Sequence, residues 1–423
     1  MSIKKLLKEN ILKHEENRKN FVTEINNVFE GTKIHNNDKL INEIVDNLLT
    51  STPNKFVTKL YEGMEDDMMD ALLDICVLTF SAENTKLGGS VATFSLPAGW
   101  TCPFANLCLK KVDRYRKMDP DKEGTYKISD KTGEKIPYKG DVQVTKGDEA
   151  EFDCYAANQE MQYDAIRANR WHNKDLIDEA AKEGGVKAMS DLIVRSIKHF
   201  FDTDGVKEGI RIHESGDFFS TKYLEAWMEA AKKFPKVYFY AYTKSVPFIK
   251  KYKDALDEIP NLSITLSKGG KRDRDLPNVD VKESHVFNTP EEVLEAGLVV
   301  DLDDDLAKQK GGKESNFALL VHGTQEKGEM SQNKMRNETF MAYWKYRKPL
   351  NRFFKMDENH FWTTKEANAG LSVIEKAKEN PKKFKTSKSD LEFKAKLLRY
   401  VVKYNDKYDF SEELINIVPE KYR

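Results

Sequence analysis

Gly209-Ile210-Arg211-Ile212-His213-Glu214-Ser215-Gly216-Asp217 decides the fold. Its first five residues alternate as a strand does, and Ser215-Gly216-Asp217 then breaks the run with a glycine between two polar residues. Tyr223, Trp227 and Ala230 follow at helical spacing, so the stretch reads as one βα unit. Further strands are expected at 237–242, 262–266, 284–287 and 317–321, at intervals of roughly 20–30 residues, with a helix from Glu291 to Ala296 among them. That rhythm predicts an α/β protein built as a partial βα barrel or an open, mostly parallel sheet.

In such sheets ligands gather at the carboxyl ends of the strands. Those ends carry His213 to Asp217, Tyr242-Thr243-Lys244-Ser245, the segment Ser267 to Arg272, and His322-Gly323-Thr324-Gln325. A glycine beside a carboxylate lets the backbone approach a ligand while the acid grips an amine or hydroxyl. Asp217, Ser215 and Lys244 are therefore the candidate catalytic groups, and His213, Glu214, Gly216 and Asp217 the candidate cofactor-binding ones. The simpler alternatives are that Ser215-Gly216-Asp217 turns the chain and caps the next helix, that His213 and His322 are core histidines, and that Lys268 and Arg272 are solvated.

Upstream, residues 90–108 combine a β-like stretch, Pro97-Ala98-Gly99, and two cysteines, Cys102 and Cys108; Cys154 follows after 45 intervening residues. The intervening 109–152 is charged and turn-rich, with strand-like Tyr126-Lys127-Ile128 and Val142-Gln143-Val144, and reads as an inserted hairpin. A hairpin brings its ends together, so Cys108 and Cys154 are expected to be neighbours. Three thiolates on one loop suit a soft metal, an iron–sulfur cluster or zinc, and three protein ligands leave one position open for chemistry. Three separately buried cysteines are the competing reading. Cys76, at an apolar helical position, reads as core packing.

The flanks are helical in pattern. Leu40, Ile41, Ile44, Leu48 and Leu49, then Met64, Met68 and Leu72, mark an N-terminal region over 1–83. The α/β core is expected over 84–339, and a helical, lysine-rich C-terminal region over 340–423, with Pro381-Lys382-Lys383 as a linker. Lys plus Arg number 69 against 70 Asp plus Glu, a net charge of −1. No global field therefore draws the chain to nucleic acid or membrane, and such contacts require local patches. No run approaches the ~18 apolar residues of a membrane span, and Met1-Ser2-Ile3-Lys4-Lys5-Leu6 opens without a secretory signal. A cytoplasmic, reducing setting is expected; the oligomeric state is not legible. A phosphate-binding P-loop, a dinucleotide glycine fingerprint and a His-Glu-x-x-His helix are all absent.

Residues 84–108 (NTKLGGSVATFSLPAGWTCPFANLC), 154–156 (CYA), 211–227 (RIHESGDFFSTKYLEAW) and 238–245 (YFYAYTKS) resemble the phage gene product 88 family. The resemblance covers roughly 84–325 and implies a phage origin, hence host-cell cytoplasm, and a shared cysteine-centred core. The order of elements is also similar to radical S-adenosylmethionine enzymes. These place three cluster-binding cysteines after the first strand of a partial βα barrel and a glycine-acid motif after the second. Their cysteines run C-x3-C-x2-C, whereas this chain has C-x5-C-x45-C. The similarity implies that Cys102, Cys108 and Cys154 hold a [4Fe–4S] cluster, with Asp217 and Ser215 near the amine of S-adenosylmethionine, in an enzyme acting on a nucleotide, nucleic acid or peptide.

Two other functions compete. A nucleic-acid-binding protein with structural zinc would use Arg167-Ala168-Asn169-Arg170-Trp171 and the tail residues Lys382, Lys383, Lys385, Lys388, Lys394, Lys396 and Arg399, interleaved with Phe384, Phe393 and Tyr400. A rolling-circle replication nuclease would need paired histidines and an accessible tyrosine. Arg211-Ile212-His213 offers one histidine, and the tyrosines of 238–242 fall on a strand expected to be buried.

Overall fold

The computed structural model describes residues 77–82, 89–128, 133, 135–323, 329–379, 381, 386–408 and 412–423. The helical pattern expected before residue 77, including Cys76, lies outside the described residues, as do Thr324, Gln325, Lys382, Lys383, Phe384 and Lys385. Where the expected N-terminal helical region reaches the described part, the chain is extended: Phe80–Ser81 forms β1.

The protein is a mixed α/β structure around a seven-stranded sheet. β2 (Val91–Ser95), β7 (Gly209–Ser215), β8 (Tyr238–Thr243), β9 (Leu262–Ser267), β10 (Glu283–Phe287) and β11 (Phe317–Leu320) lie side by side in sequence order, all parallel, and β1 adds one antiparallel edge. Strand order equals chain order, the arrangement of a sheet wound in one direction rather than doubly wound. The insertion supplies two antiparallel pairs, β3 (Lys110–Lys117) with β6 (Asp141–Lys146), and β4 (Tyr126–Ile128) with β5 (Lys135–Pro137).

Helix α1 (Tyr155–Gln162) leads into α2 (Asp164–Asp204), which is broken at Gly184-Gly185, where Gly185 takes φ +60°. α3 (Thr221–Lys233) and α4 (Val246–Asp257) complete the layer on one sheet face. Ser220 caps α3 by accepting from the Tyr223 amide at 3.2 Å, offsetting one orphan donor of the first turn. The core between sheet and helices comes from alternate strand positions: Phe94, Ile210, Ile212, Phe239 and Leu266 meet Ile193, Leu224, Trp227 and Ile249. Phe94 meets the Trp227 ring edge-on at 5.3 Å.

The opposite face is polar yet also buried: Thr93, Tyr240, Ser263, Thr265 and Ser284 are all under 4 % exposed. Short helix α6 (Asp305–Lys308), preceded in the chain by α5 (Pro290–Glu295), crosses part of this face, where the Ser263 hydroxyl donates to the Ala307 carbonyl at 2.7 Å. The Tyr242 ring of β8 meets the Phe317 ring of β11 at 6.2 Å, although two strands stand between them. On a flat sheet those strands would be ~14 Å apart, so the sheet curls strongly toward its polar side. The C-terminal helices α7 (Glu329–Phe353), α8 (Thr364–Glu379) and α9 (Lys388–Tyr408) build a second core around Trp344, Trp362 and Leu398, which is continuous with Ala318 and Leu320 of β11. Among the described residues no helix is long and apolar enough to cross a membrane.

Candidate functional site

The loop that follows β2 lies across the carboxyl ends of the neighbouring strands. Pro97 accepts from the Thr101 amide at 3.2 Å and from its hydroxyl at 2.8 Å, which folds the segment into a tight turn. Gly99 takes φ +70°, and a Cβ there would stand 2.3 Å from the Lys110 carbonyl oxygen, so only glycine fits. Gly216, at φ +88° after β7, is the second such point: its Cβ would lie 2.6 Å from Thr101 Oγ1 and 2.7 Å from Leu96 Cβ. Further along, Leu107 donates to the Gly269 carbonyl at 3.1 Å and Lys271 to Phe104 at 2.8 Å, which ties the loop to the end of β9.

The insertion closes on itself at its base. The Gly147 amide donates to Leu109 at 2.8 Å and the Glu151 amide to Leu107 at 2.9 Å, so Cys108 and the segment before Cys154 run together. Cys154 is the N-cap residue of α1, where the nearby Ala157 and Ala156 amides favour its thiolate. All three cysteines are free thiols, each half-buried. Burial pushes the Cys102 thiol well above its ordinary value, and the charges of Asp217, Cys154 and Cys108 push it further. Cys154 is pushed up to about 11, by burial and then by Cys108. Cys102 thus feels the charge of Asp217, Cys154 and Cys108, and Cys154 that of Cys108. Among the described residues, no group of three or more His, Cys, Asp or Glu side chains stands as an assembled metal-ion site.

Asp217 is buried and braces two strand ends. Its carboxylate accepts from Thr243 Oγ1 at 2.5 Å, from the Phe218 amide at 2.6 Å and from the Lys244 amide at 2.9 Å. Burial lifts it to about 6, against the pull of those three donors. Lys244 Nζ donates to Ser267 Oγ at 2.9 Å and the Lys268 carbonyl at 2.6 Å, which joins the ends of β8 and β9. Glu214 accepts from Thr93 Oγ1 at 2.9 Å, and its carbonyl accepts from the Tyr155 hydroxyl. Ser215 faces Glu160 at 3.5 Å.

His213 goes elsewhere. Pairing of β2 with β7 slips between Thr93 and Ser95, where Arg211 and Ser215 are the partners, and His213 takes φ +67° inside that irregularity. Its ring turns into the helix-side core against Phe218 at 4.7 Å and meets the Tyr223 hydroxyl at 3.0 Å. The structure therefore does not bring His213 to the thiols. Burial lowers it to about 3, below the ~6.5 of an exposed histidine. Between those values the unfolded chain takes up a proton that the native ring refuses, so stability is full above pH ~6.5 and falls as the pH drops. At pH 5 this term costs about 2 kcal/mol relative to pH 7.5. Asp217, raised rather than lowered, works in the opposite sense, so the test is a difference. His213→Asn keeps a residue type tolerant of positive φ and should lose less stability than the native chain between pH 7.5 and 5 in urea unfolding. Parallel profiles would refute the assignment.

Two residues that carry this architecture were not singled out by sequence. Glu160, fully buried, accepts from the Ala98 amide at 2.9 Å and from Arg170 at 2.8 Å, so it joins the cysteine loop to α2. Tyr155 fixes Cys154 to β7, and it packs on His322 at 5.9 Å beside Gly323. Conversely, Arg167 and Arg170 are buried struts: Arg167 donates to the Glu160 carbonyl and Arg170 to the Ala156 carbonyl. That part of the expected basic face lies inside the protein.

A sequence model of the family described as Gene product 88 matches residues 77–341. The chain is 33% identical over 128 residues to the "Gene 88 protein" of Mycobacterium phage D29, which covers 30% of this chain and 50% of that one. It is likewise 33% identical over 91 residues to the "Gene 88 protein" of Mycobacterium phage L5, covering 22% and 38%. The chain thus spans half or less of the length of these relatives. No solved structure matches it.

Proposed function

This chain belongs to the gene product 88 family, and from that premise we propose that it is a phage protein whose Cys102, Cys108 and Cys154 hold an iron–sulfur cluster at the mouth of a partial βα barrel. The observation that carries the reading is that Cys102, on a loop pinned across strand ends, lies within electrostatic reach of Cys108 and of Cys154 at the start of α1, where the closed base of the insertion brings the chain back. Buried thiols that raise one another's proton affinity lose that penalty when a cation replaces the protons. Sulfur donors favour iron and zinc, and a cluster accommodates donors more widely spaced than a single ion does. Because the three do not stand as an assembled ion site, the loops would draw in on loading.

The order of parts supports a radical S-adenosylmethionine-like enzyme: cysteine loop after the first parallel strand, glycine-acid turn after the second, and a curled sheet of six parallel strands. A [4Fe–4S] cluster with S-adenosylmethionine supplies one-electron chemistry. The chain's own residues would do the positioning. Gly216 admits the cysteine loop against β7, and Glu160 and Tyr155 hold its two sides. Ser215 and Glu214 present polar groups at the mouth, while Asp217 and Lys244 lock the ends of β7, β8 and β9 together. Trp100 and Tyr115, exposed on the loop and insertion with Lys111 and Arg114 over their rings, offer stacking faces to a nucleic-acid partner.

Anaerobic reconstitution of the full chain should yield a brown protein with about four iron atoms per chain, and Cys102→Ala, Cys108→Ala and Cys154→Ala should each abolish that colour. Stoichiometric zinc in place of iron would redirect the reading to a structural site. Colourless, metal-free protein after reconstitution ends it.

A further inference from the structure

The polar face of the sheet contains an anomaly that the thiol centre does not explain. Arg211 Nε, Tyr242 OH, Thr265 Oγ1 and Ser284 Oγ are buried atoms with no hydrogen-bond partner among the described residues. Register puts them together: Arg211 is opposite Tyr240, Tyr242 opposite Thr265, and Ser284 opposite Ser267, all on the face away from α2, α3 and α4. Buried polar atoms are nearly always satisfied, so several orphans on adjacent strands of one face indicate a missing partner. The rest of that face is satisfied by the protein. Asp304 takes Arg211 Nη1 at 2.9 Å and the Tyr240 hydroxyl at 3.1 Å, and Lys282 Nζ is engaged by the carbonyls of Leu306 and Ala307.

We propose that this face binds a neutral small molecule bearing ring hydroxyls, a ribonucleoside or a free sugar. Charge argues for neutrality: Arg211 already has its counterion in Asp304, and the charge of Asp301 also reaches Tyr242, so a phosphate would meet no free cation in that pair. Chemistry argues for hydroxyls, because three of the four orphans are hydroxyls that both donate and accept. The Tyr242 hydroxyl is fixed in place. Tyr242 is held between the Arg211 guanidinium, 5.1 Å from its centroid, and Phe317. Helix α6 covers the side near Ser263. The site goes beyond the iron–sulfur reading and does not require it.

The test is titration calorimetry of the full chain with adenosine, guanosine, cytidine, uridine, their 2′-deoxy forms and glucose, at millimolar concentration, on native protein and on Cys102→Ala. At least one probe should bind both chains, and Tyr242→Phe and Thr265→Val, which keep the shape of the site, should each weaken it about tenfold or more. Preference for ribonucleosides over deoxy forms and glucose assigns the nucleoside class, and glucose binding alone assigns the sugar. Absence of binding by every probe overturns the proposal, as does equal binding to native and variant chains. A rise in unfolding temperature in both variants without binding by the native chain also overturns it, since ordered water then fills the face.

Discussion

Gly216→Ala is expected to cost about 3 kcal/mol of stability and to lift the cysteine loop off the end of β7. Two effects add. The residue sits at φ +88°, where a side chain brings strain, and the new methyl would lie 2.6 Å from Thr101 Oγ1 and 2.7 Å from Leu96 Cβ. Thr101 cannot simply rotate away, because its hydroxyl is bonded to the Pro97 carbonyl inside a buried turn. Gly297→Ala is the control: φ is +64° there, yet nothing lies within 4 Å of the added Cβ. That variant should lose only about 1 kcal/mol. Urea unfolding gives both values, and thiol titration of the folded protein should show faster modification of Cys102 in Gly216→Ala alone. Equal losses in the two variants would mean that the close approach between loop and strand is not what the glycine provides.

Asp304→Asn should be more damaging still, by about 3–5 kcal/mol. Asp304 is 1 % exposed and holds both the Arg211 guanidinium and the Tyr240 hydroxyl. Asparagine matches its shape and tolerates φ +63°, so the substitution isolates the charge. What remains is a guanidinium in the interior with no counterion, which costs far more than the pair gains over an apolar replacement. Adding Arg211→Met should therefore recover at least half of the loss. A double-mutant cycle by urea unfolding measures this, and a single-variant loss below about 1 kcal/mol would show that the pair is solvated rather than structural.

Much of the sheet was legible because its rule is local. Leu262-Ser263-Ile264-Thr265-Leu266 alternates, and its apolar positions do face the helices; spacing then pointed to a mostly parallel sheet, while the order of its strands came from the structure. Physics that acts between segments was not legible. The slip between β2 and β7 arises where two strands meet, so nothing in Arg211 to Ser215 alone announces that His213 turns toward Phe218. Arg167 and Arg170 looked like a phosphate-binding surface because charge is visible in sequence, while their partners, Glu160 and carbonyls from α1, are visible only in three dimensions. At the candidate site, the neighbourhood of Cys108 and Cys154 followed from reading 109–152 as a hairpin. The brace through Asp217 did not follow, since its acceptor role depends on Thr243 and Lys244 arriving from the next strand.

The paired amides and carbonyls at the root of the insertion make everything beyond them an appendage. Once Gly147 has met Leu109 and Glu151 has met Leu107, the number of amino acids looped out past that clasp has no bearing on the sulfur-to-sulfur span. A short reverse turn, a longer arm or a guest module there would leave the approach of Cys108 to the segment before Cys154 unchanged. Counting positions between the second and third cysteine is therefore the wrong ruler for this centre, and the clasp is the right landmark.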